Sequence, residues 1–260
     1  MKLAELEFPK YDKSNYDDQL EVLQHRFMTC QLGVYKTGAR AVIVVEGTDA
    51  SGKGGMLKRM LRLADPRGYR VYPIGAPTPE ELKRHYLQRF WKKIPRAGQV
   101  AVFDRSWYGR VLVESVEGIT ETKSCERAYR EINDFERMLT DDGVILIKLF
   151  MHISKDEQRR RFIDRLETPH KHWKITQADL QSRRYWDEYQ SAYQNMLDKT
   201  SPESAPWQVI PANKKHYARI AGITYVCEQL EQYISPGSID LLSPDVQELA
   251  EQILFKQEKS

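Results

Sequence analysis

The sequence predicts an α/β fold of three layers, a five-stranded parallel sheet with helices on both faces. Three observations lead there. Five short runs rich in Val and Ile occur along the chain, at 40–46, 69–74, 99–103, 144–151 and 207–211. None alternates strictly between apolar and polar residues, the pattern of strands covered on both faces. Helical patterns with capping signals lie between them, and strand–helix alternation with right-handed crossovers builds a helix-covered sheet.

In chain order, residues 1–38 read as an added segment holding one helix over roughly 15–36. "RAVIVVE" is the first strand, and residues 53–64 form a helix with Met56, Leu57, Met60, Leu61 and Ala64 on one face. "YRVYPI" is the second strand. "TPEELKRHYLQRF" opens a helix with Thr78 as cap, Pro79 in the first turn and two acids at the positive end. "QVAVF" precedes a helix over 124–140 that stops before Gly143. "VILIKLFM" follows. "SKDE" at 154–157 fits a capping box, and "TQAD" at 176–179 is a similar start. "WQVIP" is the fifth strand, 213–233 is a long helix, and a last helix over 245–257 sits in a tail at 236–260. No repeat or domain linker is evident, so 1–260 reads as one domain.

Composition narrows the function. Hydrophobic residues make up 41% and charged residues 30%, a soluble balance, and no run of 18 apolar residues exists to cross a membrane. The first residues, "MKLAELEFPKYDK", lack the apolar stretch of a secretory signal. Cys30, Cys125 and Cys227 are far apart and odd in number, which fits reduced thiols in the cytoplasm. Net charge is only +3, so local patches must carry any anion binding.

"GTDASGK", Gly47 to Lys53, matches the first seven positions of the phosphate-loop pattern G-x-x-x-x-G-K-[ST]. It follows an apolar strand and precedes a helix, where backbone N–H groups can surround phosphate oxygens. Gly47, Thr48, Ala50, Ser51, Gly52, Lys53, Gly54 and Gly55 are therefore the expected phosphate-binding residues. Two letters depart from the pattern. Gly54 lacks the hydroxyl that normally binds magnesium, and Asp49 places a carboxylate in an anion-binding loop. Magnesium accepts one or two carboxylates plus phosphates, so Asp49 is an expected ligand; the alternative is a loop cap or a pair with a nearby Lys or Arg.

Asp104 ends the third strand, where ligands of open α/β sheets gather and where a second acid meets magnesium in phosphoryl-transfer enzymes; its alternative is a strand-end cap. Arg105 and Arg110 follow, and each suits either phosphate or a structural ion pair. Trp107 and Tyr108 suit packing better than base stacking. The stretch "DEQRRRFIDRLETPHKHWK" carries Arg161 and Arg165 on one helix face, and about 154–176 is expected to form a basic lid. His170 and His172 have no cluster around them and are not expected to bind metal.

Together, "EGTDASGKGG", "YPIGAPTPEE", "FDRSWYGRVLVE", "EINDFERML", "DEQRRRFIDRLETPHKHWKIT", "RRYWDEYQSAYQNML" and "APWQVIPANKKHYARI" resemble the polyphosphate kinase 2 family over about 40–225. The resemblance implies a P-loop kinase-like fold with a helical lid. It implies magnesium-dependent phosphoryl transfer between inorganic polyphosphate and nucleoside mono- or diphosphates, and a homo-oligomer. It makes Asp49 and Asp104 the acidic, metal-holding pair and Lys53 the loop cation, and puts Arg105, Arg161 and Arg165 at the family's basic phosphate positions. Asp49, Lys53, Asp104, Arg105 and Arg161 are the expected catalytic set, with Arg110 a further phosphate ligand. Gly109 stands where the diphosphate-using group typically has Asn, and "WYGRVLVE" is similar to the AMP-using branch, so AMP is the expected acceptor and ADP or GDP the alternative. An ATP-dependent kinase and a non-catalytic polyphosphate binder are the rival readings. A nucleic-acid partner is not expected, given the weak net charge and the lack of a known module.

Overall fold

The computed structural model describes residues 2–234 and 242–255. Its strands are β1 (Arg40–Gly47), β2 (Tyr69–Pro73), β3 (Gln99–Asp104), β4 (Val144–His152) and β5 (Trp207–Pro211). They form one sheet in the order β2–β3–β1–β4–β5, with every pairing parallel. The helices are α1 (Tyr16–Thr37), α2 (Lys53–Met60), α3 (Pro79–Leu82), α4 (Gln88–Trp91), α5 (Val113–Val116), α6 (Thr122–Asp141), α7 (Lys155–Glu167), α8 (Gln177–Arg184), α9 (Trp186–Lys199), α10 (Lys215–Glu231) and α11 (Pro244–Ala250).

Strand pleating explains the two cores. Ala41, Ile43 and Val45 of β1 face one way and pack with buried residues of α1, α2 and α10. Val42 and Val44 face the other way and pack with α6 and α9. A strand buried on both faces has no polar positions to alternate, hence the continuous apolar run. β2 differs from its expectation. None of its five residues is buried, and Val71 is 40% exposed, at one edge of the sheet, whereas Trp207, Val209 and Ile210 of β5 at the other edge are buried.

Three expected helices change at their ends. α2 stops at Met60 rather than 64, and Asp65, held out of the helical region by Pro66, starts a turn to Gly68. The helix expected from Thr78 is two single turns, α3 and α4, with Leu87 and Phe90 turned into the core near Phe103 and Trp107. The Thr78 capping box is complete. At α7 only half of the expected box forms. Ser154 accepts from the Glu157 amide, but the Glu157 carboxylate is held by Arg160 and Arg161. The tail helix α11 gives way to a wider turn over Glu251–Phe255, and positions 256–257 of the expected helix lie outside the described residues.

Lys148 interrupts "VILIKLFM" and is fully buried. Its ammonium donates to Glu136 at 2.6 Å, the Thr200 carbonyl at 2.8 Å and the Tyr108 hydroxyl at 3.1 Å. Glu136 also accepts from Tyr108 at 2.6 Å and from the Trp107 indole at 3.0 Å. This network ties the segment after β3 to α6 and β4. Removing one partner strands a buried charge, so Lys148→Met should cost about 3–5 kcal/mol in urea unfolding. Adding Glu136→Leu should recover part of that loss.

Candidate active site

β1 is central, so the loop leaving its carboxyl end sits between the ends of β3 and β4. Register puts Val45 beside Asp104 and Gly47 beside Met151. Gly47 has φ of 147°, and a Cβ there would lie 2.2 Å from the Met151 carbonyl oxygen. Glycine is therefore required, and Thr48 N–H then donates to that same carbonyl at 3.1 Å. Among the described residues only Ala50 and Arg105 combine a side chain with positive φ, both at 63°. Both are in this site, where strain is held by surrounding contacts.

The Lys53 side chain folds back under the loop and donates to the Gly47 carbonyl at 2.7 Å. The amides that open α2 have no intrahelical partner and face the loop. Asp49 accepts from Arg105 at 2.6 Å. Burial works to raise the Asp49 carboxyl, but Lys53 and Arg105 outweigh it and hold it below the ordinary carboxylate range. Asp104 has no hydrogen-bond or ion-pair partner to its carboxylate among the described residues. Its Oδ2 lies 3.8 Å from where a Cβ on Gly54 would stand. The space left by the missing hydroxyl is thus next to Asp104. Two carboxylates, one open and one with an oxygen taken by Arg105, suit magnesium, which keeps waters and phosphates in its remaining positions.

Two residues of this site carry no mark in the sequence patterns read above. Glu46 is 4% exposed and accepts from the Ser106 hydroxyl at 2.8 Å, and burial raises its carboxyl. The signal was a charged residue ending a buried strand directly before the loop. His152 ends β4 and meets the Thr48 hydroxyl at 3.2 Å. Nothing in its own sequence neighbourhood marks it.

The expected arginines divide. Arg105 is at the site. Arg161 is buried behind the loop, with all its donors on protein acceptors, and so is not a free phosphate ligand. Arg165 donates to the Lys174 carbonyl at 2.7 Å and lies 3.6 Å from Asp179. Arg110 pairs with Glu114 at 2.7 Å, bonds Thr120 and covers the Tyr86 ring. Neither Arg110 nor Arg165 contacts the loop, because carboxylates close in sequence or space capture them. Arg110 instead lines a cleft of about 200 Å³ with Arg84, His85, Tyr86, Thr120 and Arg127. Trp107 and Tyr108 are fully buried core residues. Of the expected lid, Gln158, Arg161 and Phe162 are buried against the protein, whereas Trp173 is 77% exposed.

A parallel sheet, a glycine-rich loop with its lysine after the central strand, and acids at neighbouring strand ends define the P-loop kinase-like class. The polyphosphate kinase 2 model matches residues 10–235, and the chain belongs to that family. It is 43% identical over 230 residues to a polyphosphate:AMP phosphotransferase of Pseudomonas aeruginosa, covering 88% of this chain and 46% of the relative. The chain thus spans about half the length of that relative. It is 42% identical to an AMP/ADP-polyphosphate phosphotransferase of Meiothermus ruber, with 84% of each chain covered. The crystal structure of polyphosphate kinase 2 from Arthrobacter aurescens superposes with a TM-score of 0.88 at 36% identity, over 97% of this chain and 93% of that one.

Burial lowers the His152 imidazole to about 4. The unfolded chain, at the ordinary value near 6.5, binds a proton between those limits that the folded chain refuses. His152 therefore takes stability away as pH falls from about 6.5 to 4, by at most about 3 kcal/mol. Urea titrations at pH 7 and 4.5 should show a smaller loss in His152→Gln than in the parent chain.

Proposed function

We propose that the chain moves a terminal phosphoryl group between inorganic polyphosphate and a nucleotide, with AMP as acceptor and ADP as product. The observation that carries this reading is the loop itself: Gly54 gives up the hydroxyl, Asp104 stands beside the vacated space, and Asp49 adds a carboxylate within the same loop. Family membership points the same way. The names of the Pseudomonas and Meiothermus relatives support AMP, and the second also supports ADP as an alternative acceptor.

Asp49 and Asp104 would hold magnesium, which when bound supplies charge neutralisation at the transferring group. The amides opening α2 and the Lys53 ammonium would receive phosphate oxygens. Arg105 spends one amino group on Asp49, and its other donors have no protein partner among the described residues. An acceptor phosphate is already anionic, so no general base is needed. Positioning and charge stabilisation carry the reaction.

The test supplies purified protein with magnesium, long-chain polyphosphate and AMP, ADP or GDP separately, and resolves products by chromatography. ADP from AMP without added ATP is the expected result. A strict need for ATP as donor would overturn the reading, and ATP from ADP with no product from AMP would replace the acceptor. In the same assay Asp49→Asn should lose on the order of 10²-fold or more in turnover with its circular dichroism unchanged.

A further inference from the structure

Arg161 is 3% exposed on α7. A guanidinium has five N–H donors. Its Nε donates to Glu157 at 2.6 Å. One amino group donates to the carbonyls of Ala50 and Ser51, both at 2.8 Å. The other donates to Ala212 at 2.7 Å and Asn213 at 3.0 Å. Every donor is taken, so a phosphate could be bound only by breaking a buried bond.

The acceptors say what the residue does. A trans peptide points its C=O and the next N–H in opposite directions. Holding the Ser51 carbonyl therefore turns the Gly52 amide away from Arg161. Holding the Ala50 carbonyl does the same for Ser51, whose N–H closes the loop on the Thr48 carbonyl at 3.0 Å. Ala50 has a left-handed conformation that costs an alanine about 1–2 kcal/mol, and these bonds can offset it. The opposite edge of the guanidinium is fixed on the turn between β5 and α10. Asn213 also receives the Ser154 amide at 2.9 Å, so the start of α7 is locked to the same corner.

We propose that Arg161 is a positioning residue for phosphoryl transfer: it sets the backbone of Ala50–Gly52 from behind, ties it to the β5–α10 turn, and never touches the phosphates. This rests on the reading of the loop as the phosphate site.

Arg161→Lys tests it, because lysine keeps the charge but offers three donors in place of the planar fork. We expect kcat/KM to fall about 10- to 100-fold, a cost typical of misplacing a site without removing its groups. Amide exchange over residues 48–54 should quicken. The dependence of polyphosphate KM on salt should keep its slope, because no phosphate contact is lost. Turnover within about twofold of the parent, or a slope shallower by about one contact, would overturn the proposal. Should Arg161→Lys fail to fold, Glu157→Gln leaves Arg161 present and loosens one anchor. Quickened exchange at 48–54 then supports the proposal, and parent-like exchange overturns it. A parent chain with no polyphosphate turnover would sink the functional reading instead, while the exchange comparison still decides on Arg161.

Discussion

No side chain fits between Gly47 and the backbone of Met151, and the site depends on that contact. It lets β1 run to the end of β4 and turn over the Met151 carbonyl, which then receives the Thr48 amide. Because β1 is also paired with β3, the same register sets Asp104 at the level of the loop. The ladder and one missing Cβ thus place loop, lysine and second acid together. A bulkier residue at 47 would push the loop off the sheet before any chemistry was touched.

Charge is balanced inside this frame rather than concentrated. Glu46, Asp49 and Asp104 stand among Lys53, Arg105 and Arg161. An acid in an anion-binding loop is tolerable because Lys53 and Arg105 hold it ionised. The cations do different work. Lys53 and Arg105 are next to the loop's open groups, whereas Arg161 is a strut whose charge is absorbed by Glu157 and four carbonyls. Similar arginines four residues apart on α7 therefore differ in kind: Arg165 sits partly in solvent and Arg161 in the core.

Burial accounts for what could be read early. β1, β3, β4 and β5 were legible because covered parallel strands are apolar through most of their length, whereas β2 read as a strand although none of its residues is buried. Capping chemistry marked Thr78 and Thr176 well, since those boxes are closed by residues three apart. It half failed at Ser154, where Arg160 and Arg161, three and four residues further on, took the Glu157 carboxylate. Arg110 could not be assigned for the same reason: Glu114 is four residues away and phosphate-like chemistry was equally open to it.

The sequence by itself determined the order of the elements, the loop and its odd letters, Asp49 and Gly54, and the family they belong to. Those are local patterns, written in spacing and residue type. Tertiary structure alone decided which arginines face the loop, that Glu46 and His152 belong to its surroundings, and that Arg161 supports it from behind. A guanidinium binds whichever oxygen is nearest and best aligned. Residues 50, 161 and 213 become neighbours only when β1, β4 and β5 are laid side by side.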